Sequence, residues 1–480
     1  MKSEFLASEI ASAYPFQPTS EQIRAMEMLS EFVCSSDERR VFLLKGYAGT
    51  GKTTLVGTLV KTLRRHSVRV VLMAPTGRAA KVFSSYSGMQ ACTIHRRIYR
   101  QKSVTETDSF QLDRNMSENT LFLVDEASMI SNEGLSGSMF GTGRLLDDLV
   151  RYVFSGRGCS LVMLGDTAQL PPVGETDSPA LSAAAIAAYG LNVRQMCLKD
   201  VVRQMHESGI LSNATRLRES LAEGVFSGFR FRISGFSDVT AISGADLIET
   251  ISGCYSRDGI DETMVLCRSN RRAVIYNNGI RNTVLDREDE LCRGDMLMIV
   301  KNNYYWTSLM AQEEERDSYI SLPSFIANGD IAVVRRVRRR RELYGFTFED
   351  AVLSFPDYDI EADVTLLLDT LHSESPSLTR EESDRLFSSV MQDYEDIPAK
   401  KDRFMKLREN RHFNALQVKY AYAVTCHKAQ GGQWRNIFID QGHMPEDMRD
   451  ADYFRWLYTA LTRATGHVYL VNWPEDGLDQ

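Results

Sequence analysis

Short apolar runs alternate with longer helical stretches over the first 190 residues of the chain. The runs occupy residues 41–44, 68–73, 121–124 and 160–164, and a polar or glycine-bearing turn follows each of them. Strands that alternate with helices in this way are typical of a parallel sheet in an α/β domain. The turns after these strands are therefore expected along one edge of the sheet, where such domains bind their ligands.

The same alternation returns in the second half of the chain. Residues 264–282 predict a strand followed by a helix, and residues 418–439 predict strand, helix and strand, so a second α/β domain is expected. Between them, residues of about 300 to 415 contain glycine turns and β-rich pieces that favour a small barrel. A shorter polar segment at about 97–120 predicts a small protruding insertion in the first domain.

The composition is that of an ordinary soluble protein of about three compact units. The 480 residues include 56 Lys and Arg against 64 Asp and Glu, a net charge of −8, so a nucleic-acid site must be a local patch. The N-terminal segment is acidic where a signal peptide is apolar, and no apolar stretch has the length of a membrane span. With 8 scattered cysteines and no CxxC pair, the chain is expected in the cytoplasm, away from membranes.

Residues 46–53, GYAGTGKT, fit the phosphate-binding pattern G-x-x-x-x-G-K-[ST] between an apolar run and a helical stretch. The glycines permit a backbone path in which successive N–H groups converge on phosphate oxygens. Lys52 would neutralise the β and γ phosphates, and Thr53 would bind Mg²⁺ through its hydroxyl. The predicted nucleotide-binding residues of this loop are Gly46, Gly49, Thr50, Gly51, Lys52, Thr53 and Thr54.

Two further features predict residues of the same nucleotide site. Asp125 and Glu126 follow an apolar strand, where Asp125 would hold Mg²⁺ through its water shell and Glu126 would deprotonate the attacking water. The alternative for this pair is a solvated turn, and the functional interpretation predicts phosphoryl transfer to water. Upstream, the amide of Gln22 could read the adenine edge, although a helix-surface glutamine is the simpler interpretation of that residue alone.

The chain contains, in this order, GYAGTGKTT, APTGRAAK, TIHR, DEAS, GDTAQLPPV, VVRQ, TCHKAQG and YTALTRA. This series resembles the motifs of superfamily 1B helicases, the RecD-like and Dda-like group, over most of residues 15–300 and 415–472. The resemblance implies an α/β fold of two RecA-like P-loop motor domains, with a small insertion in the first and an SH3-like β-barrel insertion in the second. The implied domains are 1–195 (insertion about 97–120), 196–300 with 416–480, and the inserted 301–415.

The resemblance also implies ATP hydrolysis between the motor domains and 5′ to 3′ movement along single-stranded DNA. Gln169 resembles the residue that senses the γ-phosphate, and Arg203 and Arg463 resemble arginines that enter the ATP cleft from the second domain. One departure is Gln433, which stands where the family often carries glutamate. The implied catalytic residues are Lys52, Glu126, Gln169, Arg203 and Arg463.

A motor that moves along DNA needs contacts that ignore base identity, namely phosphate hydrogen bonds and stacking. Phe110 in the small insertion could split the duplex by stacking on the junction pair, or it could pack against its own domain. The arginine-rich run 335–341 could line a DNA groove with alternate side chains or keep a barrel edge solvated. Residues that match the family's DNA-binding turns are Pro75, Thr76, Arg78, Thr93, His95, Thr425, His427 and Lys428.

Three functions stay open from the sequence. The first is a DNA helicase of repair, recombination or replication that acts on single strands and duplex junctions and works as a monomer. The second is an RNA or DNA/RNA-hybrid helicase of the same build, because no motif specifies the 2′-hydroxyl. The third is an ATP-gated DNA-binding remodeller that separates no strands.

Overall fold

The computed structural model describes residues 2–101, 110–134, 140–200, 208–314 and 325–479. Three β structures organise these residues: a six-stranded sheet, a five-stranded sheet and a closed five-stranded barrel. Within the described ranges, none of the helices is long and apolar enough to traverse a lipid bilayer.

The first sheet is formed by the apolar runs of the first 200 residues. Its order is β3-β2-β6-β7-β1-β8, every pair is parallel, and β4 and β5 form a separate antiparallel hairpin. The strands are β1 (Arg40–Gly46), β2 (Arg69–Ala74), β3 (Ala91–Thr93), β4 (Tyr99–Gln101), β5 (Phe110–Leu112), β6 (Thr120–Val124), β7 (Ser160–Gly165) and β8 (Asn192–Leu198). The four strands predicted from the apolar runs are confirmed. The edge strands β3 and β8 were not predicted, because the first is short and the second carries polar side chains.

Helices cover both faces of this sheet. They are α1 (Ser3–Ala13), α2 (Ser20–Cys34), α3 (Lys52–Arg65), α4 (Gly77–Ser87), α5 (Ile94–Ile98), α6 (Leu145–Ser155) and α7 (Ala183–Ala187). On α3, Leu55, Leu59 and Leu63 recur at helical spacing and are fully buried against the sheet. The turns after β1, β2, β6 and β7 lie at the carboxyl ends of parallel strands, so they share one edge as predicted.

The second half of the chain contains the second sheet, of order β10-β19-β18-β11-β17 and all parallel, and the barrel β12-β13-β14-β15-β16. A short pair joins β9 and β20. The strands are β9 (Phe231–Arg232), β10 (Val239–Ile242), β11 (Thr263–Cys267), β12 (Met296–Ile299), β13 (Ile331–Leu343), β14 (Phe346–Phe355), β15 (Ile360–Leu367), β16 (Leu416–Tyr420), β17 (Ala423–Thr425), β18 (Trp434–Asp440), β19 (Ala464–Val471) and β20 (Leu478–Asp479). The second α/β unit predicted from the sequence is confirmed.

Helices α8 to α15 complete this half. They are α8 (Gly209–Glu223), α9 (Leu247–Asp258), α10 (Asn270–Gly279), α11 (Tyr305–Glu314), α12 (Arg380–Gln392), α13 (Lys400–Glu409), α14 (Cys426–Ala429) and α15 (Ala451–Leu461). Residues of α12 and α13 pack over one end of the barrel, where Leu386 and Val390 contact Phe346 and Phe348. We refer to the part of the chain around the first sheet as the first lobe and to the part around the second sheet as the second lobe.

The barrel takes two of its five strands from residues just outside the predicted insertion 301–415. Strand β12 precedes it and β16 follows it, and β16 was predicted as a strand of the second α/β domain instead. The barrel and the second sheet share one continuous core, in which Leu297, Val418 and Tyr420 are buried together with residues of β11 and β18. The barrel therefore packs directly against the second sheet and is part of the same hydrophobic core.

Candidate functional site

The phosphate loop connects β1 to α3 and has the backbone that its glycines require. Gly49 and Gly51 have φ of 78° and 79°, the left-handed region that favours glycine. A Cβ at Gly46 would lie 2.9 Å from side-chain atoms of both Lys52 and Thr50. The loop therefore has no room for a larger residue at Gly46, and a loop of this kind before a helix N-terminus presents backbone N–H groups that suit an anion.

The ammonium of Lys52 is held over this loop. Its Nζ donates to the Tyr47 carbonyl at 3.0 Å and to the Gly46 carbonyl, while Thr50 Oγ1 donates to the Tyr47 carbonyl at 2.8 Å. Thr53 and Thr54 follow in the first turn of α3 and are half-buried. A phosphate group at the loop would meet the positive charge of Lys52 and the positive end of α3 at the same place.

The carboxylates of Asp125 and Glu126 lie at the end of β6. Asp125 Oδ1 accepts from the Glu126 backbone N–H at 2.8 Å, and Glu126 has a left-handed φ of 50°. Burial and the charge of Glu126 raise the pKa of Asp125 to about 7, and the charge of Lys52 opposes this rise. The charge of Lys52 thus acts on Asp125, and the carboxylate oxygens of the pair are of the kind that could hold a divalent cation.

Gln169 follows β7 and is only 7% exposed. Its Oε1 is buried and has no hydrogen-bond partner among the described residues. A buried acceptor without a partner costs about 1 to 3 kcal/mol. A water molecule or a ligand donor would satisfy it, which fits the role implied for Gln169 beside a terminal phosphate.

Arg463 comes from the second lobe, just after α15, and is 3% exposed. Its Nη1 lies 4.0 Å from Glu126 Oε1 of the first lobe, while its Nε donates to the Thr459 carbonyl at 3.2 Å. The structure therefore brings this predicted arginine to the acidic pair across the cleft. The other predicted arginine, Arg203, lies outside the described residues.

Gln22 is buried beside the phosphate loop, and its amide already has two partners. Its Oε1 accepts from the Thr19 backbone N–H at 2.9 Å in a capping box at the start of α2, and its Nε2 donates to the Thr50 carbonyl at 2.9 Å. This structural role was not predicted. The contact with an adenine edge stays a prediction.

The predicted strand-binding residues of the first lobe lie at the ends of β2 and β3, beside the second lobe. Pro75 precedes Thr76, which caps α4 by accepting from the Ala79 N–H, and Thr93 caps α5 in the same way. The Arg78 guanidinium lies 4.0 Å from the ring centroid of Trp434 and donates to the Gln433 carbonyl at 3.0 Å. Arg78 therefore joins the two lobes as well as lying on the expected path.

The second lobe contributes Thr425, His427 and Lys428, which lie at the end of β17 and in α14. His427 is exposed, and Thr425 and Lys428 are half-buried. Burial and the nearby charge of Lys419 lower the pKa of Lys428 to about 8, so the side chain is still mostly protonated at pH 7. These side chains offer a hydroxyl, an imidazole and a cation to a passing strand.

His95, one of the predicted DNA-binding residues, lies against an aromatic cluster. Its imidazole lies 4.8 Å from the Phe140 ring, 5.7 Å from Tyr99 and 6.1 Å from Phe325 between centroids. Burial lowers the pKa of His95 to about 4, so the ring is neutral at pH 7. The ring is half-buried beside these aromatic side chains, and its contact with a DNA base stays a prediction.

Phe110 belongs to the same aromatic cluster. It is 7% exposed, and its ring centroid lies 4.6 Å from Tyr304 and 5.1 Å from Phe140. The prediction of an exposed duplex-splitting tip is wrong for this side chain, and the alternative, packing within the molecule, is confirmed. Residues 102–109, the rest of the hairpin connection, lie outside the described ranges.

Replacing Phe110 with alanine is expected to destabilise the protein by about 3 kcal/mol, because it removes a buried ring and leaves a cavity. Denaturant unfolding of the variant measures this loss. Phe5→Ala is the matched control, since Phe5 is 55% exposed on α1 and should cost less than about 1 kcal/mol. Equal losses for the two variants would contradict the buried placement of Phe110.

The arginine-rich run lies on β13 and is largely paired with carboxylates. Arg335 lies 3.5 Å from Glu361 and Arg340 lies 2.6 Å from Glu290, while Arg338 pairs with Asp363 and Arg341 with Asp350. These pairs neutralise much of the positive charge that the sequence displays. The arrangement favours the interpretation of a charged barrel edge over that of a DNA groove.

Two residues that join the lobes beside the site could not be singled out from the sequence. Trp434 takes part through the ring on which Arg78 packs, and Tyr458 on α15 donates to Asp166 Oδ2 at 2.6 Å across the lobes. Tyr458 occurs within YTALTRA, so its position in a motif was visible, but its partner was not.

Comparison with known families adds two matches. The model described as an AAA domain matches residues 19–227, and the model described as a UvrD-like helicase C-terminal domain matches residues 420–471. Together they cover more than half of the chain, and the residues between them include the barrel.

Individual relatives are distant. The uncharacterized protein R530 of Acanthamoeba polyphaga mimivirus is 22% identical over 93% of this chain and 98% of its own length. The ATP-dependent DNA helicase dda of Enterobacteria phage T4 is 25% identical over 53% of this chain, and the match spans 55% of that helicase, about half of its length. The solved structure of Pif1 helicase from Bacteroides in complex with ADP-AlF3 and ssDNA aligns with 96% of this chain and 94% of its own at 15% identity and a TM-score of 0.46.

Proposed function

Because the chain belongs to the superfamily 1B helicases of the Pif1, RecD and Dda type, we propose that it is an ATP-dependent DNA helicase. In this proposal it moves 5′ to 3′ on single-stranded DNA and unwinds the duplex ahead of it. Residues 1–195 and 196–300 with 416–480 act as the two motor domains, with insertions at about 97–120 and 301–415.

The observation that carries the proposal is the meeting of Arg463 and Glu126 across the cleft. Arg463 Nη1 lies 4.0 Å from Glu126 Oε1, and Lys52 of the phosphate loop acts on the neighbouring Asp125. Phosphoryl transfer requires a cation close to the transferred group and a carboxylate close to the attacking water. Here one lobe supplies the cation, and the other supplies the carboxylate and the phosphate loop. Catalysis then depends on closure of the cleft.

In the proposed reaction each group has a separate task. Glu126 accepts a proton from the attacking water, and Gln169 orients that water through its free Oε1. Lys52 and Arg463 stabilise the negative charge that spreads over the γ-phosphoryl oxygens while its bond to ADP breaks. Arg203 is proposed as a second cation from the other lobe.

Mg²⁺ is the proposed metal cofactor, held by Thr53 and, through water, by Asp125. The donor set supports this, because the Thr53 hydroxyl at the start of α3 and the Asp125 carboxylate at the end of β6 are oxygen ligands of the kind that Mg²⁺ prefers. When bound, the ion would neutralise phosphate charge and help to orient the β and γ phosphates.

The strand path proposed for DNA runs over the ends of β2, β3 and β17. The first lobe would contribute Thr76, Arg78 and Thr93 to this path, and the second lobe would contribute Thr425, His427 and Lys428. Hydroxyls and cations contact phosphates without regard to base identity. Since both lobes hold the strand and the nucleotide lies between them, a change in closure alters the grip on DNA. Duplex junctions are the proposed substrate, and the monomeric state and the cytoplasmic location stay predictions.

Strand displacement on substrates that carry only a 5′ or only a 3′ single-stranded tail tests this function. We expect ATP-dependent displacement from the 5′-tailed duplex and little from the 3′-tailed one. An RNA tail of the same sequence, compared for displacement and for stimulation of ATP hydrolysis, separates a DNA helicase from an RNA or hybrid helicase. ATP hydrolysis stimulated by single-stranded DNA without displacement of any strand would contradict the helicase and favour the remodeller.

A further inference from the structure

One side chain of the second lobe is hydrogen-bonded to the phosphate loop itself. Tyr458 lies on α15 and is 1% exposed. Its hydroxyl accepts from the Ala48 backbone N–H at 2.9 Å and donates to Asp166 Oδ2 at 2.6 Å. Both partners belong to the first lobe, so this hydroxyl bridges the cleft with its donor and its acceptor functions together.

The same helix and the residues just after it contact two other loops of the first lobe. Thr459 Oγ1 accepts from the Leu170 backbone N–H at 2.8 Å, next to Gln169, and Arg463 reaches Glu126. Gln430, just after α14, donates to the Leu170 carbonyl at 2.8 Å. The turns after β1, β6 and β7 are therefore all contacted by residues 458–463 of the second lobe.

A second contact on the phosphate loop comes from α8. The Arg218 guanidinium lies 4.4 Å from the ring centroid of Tyr47, the residue before Ala48. Two consecutive loop residues are thus held from the second lobe, one through its ring and one through its backbone N–H. Neither contact involves the groups proposed to carry out hydrolysis.

We propose that Tyr458 is a positioning residue through which closure of the second lobe sets the phosphate loop for hydrolysis. In the closed arrangement its hydroxyl fixes the Ala48 N–H and the Asp166 carboxylate together. Separation of the lobes breaks both bonds and releases the loop. Binding of DNA across the lobes then changes the geometry around the nucleotide, which links the strand to the rate of hydrolysis.

This inference rests on the proposed function and deepens it, since it concerns how DNA controls the same ATP site. The proposed link requires a side chain that both donates and accepts a hydrogen bond, and a phenylalanine ring does neither. A hydrogen bond inside one lobe would only stabilise the fold. A bond across the cleft is made and broken with closure, so its loss should affect turnover under DNA stimulation rather than the binding of ATP.

The test compares Tyr458→Phe with Tyr453→Phe. Tyr453 lies on the same helix and is also buried, and its hydroxyl donates to Gln441 Oε1 within the second lobe. We expect Tyr458→Phe to lower kcat with saturating single-stranded DNA about tenfold, the effect of one or two buried hydrogen bonds. The KM for ATP and the rate without DNA should change by less than about twofold, and Tyr453→Phe should leave all three values within about twofold.

Thermal unfolding of both variants shows that they are folded at the assay temperature. If Tyr458→Phe fails to fold, Arg218→Gln on α8 takes its place, with an expected threefold or so loss of the same DNA-stimulated kcat. Equal kcat for the Tyr458 and Tyr453 variants, or a loss confined to KM, would overturn the inference alone, and so would an unchanged Arg218→Gln where that variant is needed. A wild-type protein whose ATP hydrolysis does not respond to single-stranded DNA would overturn the proposed function and this inference with it.

Discussion

Lys52→Ala is expected to lower ATP turnover by about a hundredfold to a thousandfold, the usual loss when a main electrostatic contact to a transition state is removed. The ammonium lies over the phosphate loop and acts on Asp125, so its loss removes positive charge where the phosphates are proposed to bind. Steady-state hydrolysis with saturating single-stranded DNA measures the loss. The variant should still bind single strands at low salt, because the strand path does not include Lys52.

The matched control is Lys61→Ala on the same helix. Lys61 is exposed on α3, nine residues further along than Lys52, and its loss should change turnover by less than about twofold. Near-normal hydrolysis by Lys52→Ala would contradict the assignment of residues 46–53 to the triphosphate. Loss of strand binding together with hydrolysis would indicate that the substitution damaged the lobe as a whole.

Arg463→Ala is expected to lower kcat by about a thousandfold, the lower end of the range for arginines that enter a phosphoryl-transfer site. Its guanidinium is buried beside Glu126, where its charge can meet the transferring group only when the lobes are together. Nucleotide affinity, measured by fluorescence titration with an ATP analogue, should fall only several-fold. A loss of affinity with kcat retained would assign Arg463 to the ground state instead.

Two further variants separate chemistry from packing at this position. Arg463→Lys keeps a charge but loses the fork of donors, so it should recover only a small part of the rate. Arg455→Ala removes an arginine of α15 that also contacts the first lobe, where it donates to the Thr176 carbonyl at 2.7 Å. Turnover by the Arg455 variant should stay within about threefold of the wild type. A similar loss for both alanine variants would point to lobe contact, not to charge at the phosphates.

Much of the first lobe was predictable because its signals are local. Each strand of the sheet centre is a continuous apolar run, as expected for strands buried on both faces, and each is followed by its own turn. The phosphate loop needs glycines at defined positions, and two of them, Gly49 and Gly51, take the left-handed backbone that glycine permits. Strands and turns of this kind depend on residues near them in sequence.

The features whose role the sequence left open depend on residues far away in the chain. Phe110 stands among polar neighbours in the sequence, yet it packs against Tyr304 from the other half of the molecule. In the sequence alone, the arginine-rich run of β13 has the pattern of a free cationic surface. In the structure, Glu361 and Asp363 of β15 pair with two of its arginines. Burial and pairing are properties of the surroundings, which a linear pattern does not contain.

The sequence by itself determined the chemistry available to this protein: a phosphate loop, an acidic pair after a buried strand, and the ordered motifs of a two-lobed motor. Only the tertiary structure decided which groups meet. It placed Arg463 beside Glu126 and attached Tyr458 to the phosphate loop, contacts between residues more than three hundred positions apart. The physical reason is that backbone conformation follows from residues that are close in sequence, whereas a cleft exists only where separate lobes pack together. The interactions between charges in the cleft therefore depend on how the lobes are arranged.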